Sequence, residues 1–350
     1  MSGVIECKQC PSCGHENLSD LLPRPARVDT TLDLIFEREQ QREVPGTDLS
    51  SLRTPEFTVC EHCALVFMRK RSTPEAAKQY YAQLFHIIET PIPLDRLPIP
   101  VRFVSRKARL ARDLVDTLAA HGALEGVESV LHFRCTTGEE LRILRDEHGI
   151  SELYGLEHLP SLVRHAREVQ GLPQIASIPV PEFDNPFPRE RFDLILCNEA
   201  FGHAHDPALV ARHLGSLLSD GGAIIAYNEK DHSKILRAGN LFPHGMNFFH
   251  KQLYTRASLR SFLASCGYRV ESLAHPTVGK PHSLKNSKIL YSLRREAGAV
   301  TDLPSGEVAL MKQLFREWWE RHETSKRGRH LLRRLRRKSV ADDIGGAARR

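Results

Sequence analysis

VLHFRCTTGEEL, residues 130–141, is the stretch that decides the fold. It reads as an apolar strand, a tight turn and the start of a helix. A second short strand, LYGLE, follows and ends on Glu157, nineteen residues after Gly138. Strand, turn, helix, strand and acid, in that order, form the layout of a dinucleotide-type unit. In such a unit backbone amides of the turn approach a ligand and the acid takes a ribose hydroxyl.

Outward from this unit, strands and helices keep alternating. The helix LPSLVRHAREVQG is followed by a weak strand, QIASIPV, and then by the apolar strand FDLILCNEA (192–200). Next come a helix, PALVARHLGSLLSDGG, a fifth strand, AIIAYNE, and the helix TRASLRSFLASCG. YRVESLAH and SKILYSLRR read as a closing hairpin. Upstream, VRFVSRKARLARDLVDTLAAHG (101–122) carries apolar residues at helical spacing. The class this predicts is α/β, a parallel doubly wound sheet with a final antiparallel hairpin.

Four pieces of this region carry a family resemblance. The first loop is similar to V-L-D-x-G-C-G-T-G, with His132 in place of the Asp and Arg134 and Thr136 in place of two glycines; Cys135, Thr137 and Gly138 agree. FDLILCNEAFGHAHDP resembles a strand followed by His-x-x-Asp-Pro, matched by His203, Asp206 and Pro207, with Gly202 where a Glu is expected. LLSDGGAIIAYNE resembles an L-x-P-G-G strand entry, and NFFHKQLYTRASLRSFLASCGYRV matches a further segment at His250, Leu259 and Gly267. Residues 126–296 thus resemble a class I S-adenosylmethionine-dependent methyltransferase domain of Rossmann-like fold.

The resemblance implies S-adenosylmethionine as cofactor, bordered by His132, Arg134, Cys135, Gly138, Glu157 and Asn198. It also implies a base for the acceptor's proton, for which His250, His203 and Tyr254 are the candidates. In sugar C-methyltransferases with a zinc-ribbon module a Glu-His pair lies near the position of His250; here Phe249 precedes it. His203 reads equally as a histidine at a helix end. The two lost glycines predict a loop whose side chains crowd the cofactor, because close backbone approach favours glycine. No Asn-Pro-Pro-Tyr-type sequence follows the fourth strand, which speaks against methylation of amino groups on bases or glutamine.

Five of the eight cysteines fall within the first 63 residues. Cys10-Pro-Ser-Cys13-Gly and Cys60-Glu-His-Cys63-Ala are two C-x2-C knuckles, and paired knuckles have the spacing of a tetrahedral zinc site. Cys10, Cys13, Cys60 and Cys63 would leave no open coordination position, so the zinc would be structural. Cys7 is an alternative ligand; His15 and His62 are read as bystanders. The strand ALVFM after the second knuckle would pack beneath the metal.

Four segments follow: a zinc-ribbon-like module at 1–75, a helical linker at 76–125, the Rossmann-like domain at 126–296 and a helical extension with a basic tail at 297–350. TPEAAKQYYAQLF (73–85) reads as a helix and TPIPLDRLPIP (90–100) as an extended linker. Residues 326–350 hold ten Lys/Arg and two Asp, a net of +8, so the rest of the chain sums to −2. The tail, with HLLRRLRRK, reads either as a solvated end or as a partner for an anionic surface or nucleic acid that the body does not offer. No apolar run reaches the roughly 18–20 residues of a membrane span, and the start of the chain lacks a signal pattern; a cytoplasmic protein is expected.

Three functions compete. The first is an S-adenosylmethionine-dependent methyltransferase acting on a sugar or other small molecule in polysaccharide or natural-product biosynthesis. The second is a degenerate relative serving as a binding or scaffold protein. The third is an RNA methyltransferase, which the near-neutral body disfavours.

Overall fold

The computed structural model describes residues 4–21, 56–74, 76, 101–178, 185–237, 250–273, 288–296, 298, 303 and 305–324. The basic tail, the 90–100 linker and most of the expected 73–85 helix lie outside the described residues.

The central sheet has seven strands: β6 (Ser129–Phe133), β7 (Glu152–Glu157), β8 (Ile175–Ser177), β9 (Phe192–Asn198), β10 (Leu218–Lys230), β12 (Tyr268–Ser272) and β13 (Lys288–Arg295). Their order is β12-β13-β10-β9-β6-β7-β8. The five strands from β8 to β10 are parallel; β13 and β12 form the antiparallel closing hairpin that the sequence predicts. The strand order reverses between β6 and β9, which places the ligand crevice at their carboxyl ends.

Alternation along the strands sends side chains to two cores. On β9, Ile195 and Cys197 face one core, and Leu194 and Leu196 the other. The second core takes apolar residues of α1 (Val101–Ala120), α2 (Glu139–His148) and α3 (Pro160–Glu168). The first takes those of α4 (Pro207–Ser216) and α6 (Arg256–Ser265). Covering both faces is what lets the inner strands be apolar throughout. α4 is shorter than expected. It ends at Ser216, and LSDGG opens the long strand β10, across an irregular register from Leu218 to Ala223. The short helix α5 (His232–Arg237) carries no strong periodicity and was not anticipated.

The N-terminal module is built from β1 (Val4–Glu6), β2 (Leu18–Asp20), β3 (Phe57–Cys60), β4 (Val66–Met68) and β5 (Lys70–Ser72). Its main sheet runs β11-β4-β3-β2, where β11 (Gln252–Leu253) comes from far along the chain. The module sheet is therefore completed by residues well beyond 75. One of its faces, with Cys60, Leu65 and Phe67, shares the core of α4 and α6. The other, with Phe57, Val59, Val66 and Met68, is covered by Met311, Leu314, Phe315 and Trp318 of α7 (Glu307–Thr324). Trp318 is buried and Trp319 only partly so, in keeping with two adjacent tryptophans that cannot share one narrow face. Among the described residues no helix is long and apolar enough to cross a membrane.

Candidate functional site

The loop after β6 keeps the backbone of a glycine loop with two of its glycines replaced. Arg134, Thr136 and Gly138 take φ of 61°, 52° and 77°. The two replaced glycine positions thus stay in the left-handed region, where an L-residue costs roughly 1–2 kcal/mol. Gly138 cannot be replaced as freely: a Cβ there would lie 2.7 Å from Leu172 Cδ1 and 3.1 Å from Ala166 Cβ. The loop is held by Glu157. Its Oε2 accepts from Thr136 N at 2.9 Å, and its Oε1 from His158 N and Leu159 N at 2.8 and 3.1 Å. Burial pushes this carboxyl up, but the adjacent His158 and these donors outweigh it and hold the pKa at about 2.

The remaining loop residues divide by direction. The Cys135 thiol is buried in the core of α1 and α2, and its amide donates to Leu156 O while its carbonyl accepts from Gly138 N. His132, in the Asp position of the family pattern, is fully buried, with Nε2 2.7 Å from the Tyr227 hydroxyl, which donates to Glu140. Burial and the neighbouring Lys107 depress its pKa to about 3, so the ring is neutral. Asn198 donates from Nδ2 to Arg134 O at 3.3 Å and accepts from Asn228 at 2.8 Å. The Arg134 guanidinium donates to the carbonyl of Glu199. The loop after β6 is thereby tied to the turn after β9.

That turn holds the second half of the site. Glu199 adopts φ 48°, an uncommon conformation for a non-glycine residue, and a recurrent one where side chains are held for function. Its Oε1 lies 3.0 Å from Lys230 Nζ, 3.1 Å from His250 Nε2 and 3.9 Å from His203 Nε2. The rings of His203 and His250 are 4.5 Å apart. His250 Nε2 is also 2.8 Å from Lys230 Nζ. Deprotonated, this nitrogen accepts from Lys230; protonated, it donates to Glu199. Burial first, then Lys230, lowers the His250 pKa to about 4, so the ring is a neutral acceptor at pH 7. Burial would raise Glu199, yet Lys230 and the two histidines keep it well below the ordinary carboxylate range.

His203 and His250 are thus brought together, and Tyr254 is not part of their hydrogen-bonded cluster. Its ring stacks on Phe262 in the core, and its buried hydroxyl has no hydrogen-bond partner among the described residues. The pairing of His250 with a glutamate, missing at Phe249 in the sequence, is supplied by Glu199, 51 residues earlier. Lys230, Tyr227 and Asn228 escape a linear reading because β10 brings them to Glu199, to His132 and to Asn198 only through the folding of the sheet. One signal was present: Glu199 lies four residues before His203.

The four knuckle cysteines converge. Cys10 Sγ is 3.6 Å from Cys63 Sγ, Cys13 Sγ is 3.5 Å from Cys60 Sγ, and all four lie within 4.8 Å of one another. Zinc–thiolate bonds of about 2.3 Å give tetrahedral edges of about 3.8 Å, so the set fits that ion. Gly14 and Ala64 follow each knuckle with φ of 75° and 56°, and their amides donate back to Cys10 O and Cys60 O. His15 and His62 stack on each other at 3.7 Å and stand outside the group, as does Cys7, which pairs with Arg71.

Residues 103–273, just under half of the chain, match the family model described as a methyltransferase domain. No curated protein matches the chain. Among solved structures, the chain is similar to a Haloferax volcanii complex between the Trm112 methyltransferase activator and a methyltransferase (19% identity, 55% of this chain and 95% of that one, TM-score 0.43). It is also similar to an O-methyltransferase family protein from Burkholderia thailandensis (16% identity, 65% and 64% covered, TM-score 0.44). A third is magnesium protoporphyrin IX methyltransferase from Synechocystis with bound SAH (17% identity, 57% and 90% covered, TM-score 0.39).

Proposed function

We propose that the protein is an S-adenosylmethionine-dependent methyltransferase acting on a small-molecule acceptor, of the sugar type, from cytoplasmic biosynthesis. One observation carries this reading: the loop Arg134–Gly138 and the cluster Glu199–His203–Lys230–His250 lie side by side, joined by Arg134 and Asn198. The cofactor fits the loop, which retains left-handed backbone at 134, 136 and 138 and has Glu157 at its edge. When bound, S-adenosylmethionine supplies an electrophilic methyl group. Glu157 would meet its ribose, and Gly138, Cys135 and His132 would border it mainly through the loop backbone and its support.

The chain's own chemistry is proton removal from the acceptor. His250 Nε2 takes the proton, shifts its hydrogen bond from Lys230 to Glu199, and is stabilised as imidazolium by that carboxylate. Positioned bases of this kind contribute typically about 10²–10⁴-fold. The four cysteines hold a structural zinc, and the chain divides into segments at 1–75, 76–125, 126–296 and 297–350.

A second reading has its own observation. The Arg134 guanidinium, bound to Glu199 O, stands between the loop and the base, so a chain that binds a ligand without transferring a methyl group is the competing function. Calorimetric titration with S-adenosylmethionine and its demethylated product separates the two. Micromolar binding, followed by label transfer from methyl-labelled cofactor to a panel of small-molecule acceptors, is the expected result. No binding of either compound would end the methyltransferase reading.

A further inference from the structure

The segment that carries His250 belongs to two structures at once. On one side, Gln252 and Leu253 pair antiparallel with Phe67 and Val66 of β4, and Met68 N donates to Lys251 O at 3.1 Å. On the other, the amides of Lys251 and Gln252 donate to Gly202 O at 2.9 and 3.2 Å. The side chains finish the clamp: Lys251 Nζ reaches His203 O at 3.1 Å and Gln252 Nε2 reaches Ala204 O at 2.9 Å. Both candidate histidines therefore hang on one short strand, whose outer neighbour is the strand that starts three residues after Cys63.

Added strands are held by main-chain hydrogen bonds, and their register follows the edge that receives them. β4 in turn is fixed by the knuckle: Cys60 N donates to Leu65 O and Ala64 N to Cys60 O. We infer that the cysteine module is a positioning element of the active site, its strand β4 setting the place of His250 and of the His203 turn by strand addition. The inference rests on the proposed roles of His250 and of the zinc. Met68 is its positioning residue, acting through its backbone amide and touching neither cofactor nor acceptor. The path from Met68 reaches His250 before it reaches the loop at 134–138, which meets the turn after β9 through Arg134 and Asn198, so cofactor affinity is expected to change far less than the His250 titration.

The test uses the full chain and two variants. Met68→Pro deletes the amide that holds Lys251; Met68→Ala loses the same side chain from the core but keeps the amide. Imidazole nitrogen NMR, assigned with His250→Gln, reads the titration of His250 against its neighbours Glu199, Lys230, His203 and His232. Met68→Pro should move the His250 pKa upward by at least one unit, towards the free-imidazole value, while Met68→Ala restores the wild-type titration. Bound metal and cofactor affinity should stay within two-fold in both.

In wild-type protein treated with a zinc chelator, hydrogen exchange should rise at 56–72 and 250–254 and stay low at 129–157. This arm stands even if Met68→Pro fails to fold. An unchanged His250 titration in folded Met68→Pro overturns the inference, as does protection of 250–254 after chelation, or uniform exchange across the molecule. Absence of zinc in the purified protein would remove the metal reading while leaving the proline arm decisive. Failure of methyl transfer with a responsive His250 would remove only the functional reading.

Discussion

At the scale of single residues, the loop after β6 is strained by its own sequence. Thr136 is β-branched and sits at φ 52° in a position where the family pattern has glycine. Thr136→Gly should raise stability by about 1 kcal/mol, the relief of one left-handed L-residue less the added freedom of the unfolded glycine. Gly138→Ala should lower it by about 2–4 kcal/mol, combining a left-handed backbone with a contact against Leu172 and Ala166. Urea titration of both variants measures the pair; a destabilised Thr136→Gly would show that the hydroxyl or methyl is needed.

Glu157 has a depressed pKa of about 2, so its contribution is fully present above about pH 4.5 and is lost as pH falls through 2. Glu157→Gln should flatten the acid limb of the stability profile and weaken cofactor binding by roughly ten-fold. Lys230 lowers His250. Lys230→Met should therefore raise the His250 pKa above 4, and the acid limb of any activity should move to higher pH with it. A limb that stays in place would mean that burial alone governs the ring.

At the scale of elements, the sequence was most legible where period and turn chemistry agree. The strand–turn–helix at 130–141, the helix beginning at TRASLRSF and the closing hairpin are all local signals, and the structure repeats them. What escaped were contacts made between elements far apart in the chain. β11 is two residues long, too short to show any alternation, and it exists only because β4 offers an edge. The Glu199–His250 contact is of the same kind.

The sequence predicts a helical segment where α7 lies but not what that helix packs on. It covers the outer face of the cysteine module, with Lys312 bonded to Glu61 beside the knuckle. Trp318→Ala should cost about 3–5 kcal/mol, the usual range for an aromatic deleted from a core. Because Phe57, Val59 and Met68 lie in the same cluster, proteolysis at 56–72 should accelerate with it. An equal loss of stability with no change in that segment's protection would place the helix on the central sheet instead.

At the scale of the whole molecule, two of the three cores meet at one small sheet. The module's inner face packs on the α/β domain and its outer face on α7, so the module lies between them like a shared wall. Charge is arranged differently from packing. Residues 1–325 carry a net of −2 and residues 326–350 a net of +8, so attraction to an anionic surface falls to the tail alone. Basic side chains near an anionic membrane contribute about 1 kcal/mol each, and the effect fades beyond a Debye length of about 8–10 Å at physiological salt. Full-length protein should bind anionic vesicles at low salt and release them as salt rises. A chain ended after Ser325 should fail to bind yet melt within about 1 °C of full length, since α7, which anchors the C-terminal region, ends at Thr324. Sedimentation with vesicles and thermal melting decide the matter. Equal binding by both forms would assign the attraction to the body despite its net charge, and a large fall in melting temperature would show that the tail packs on the folded molecule.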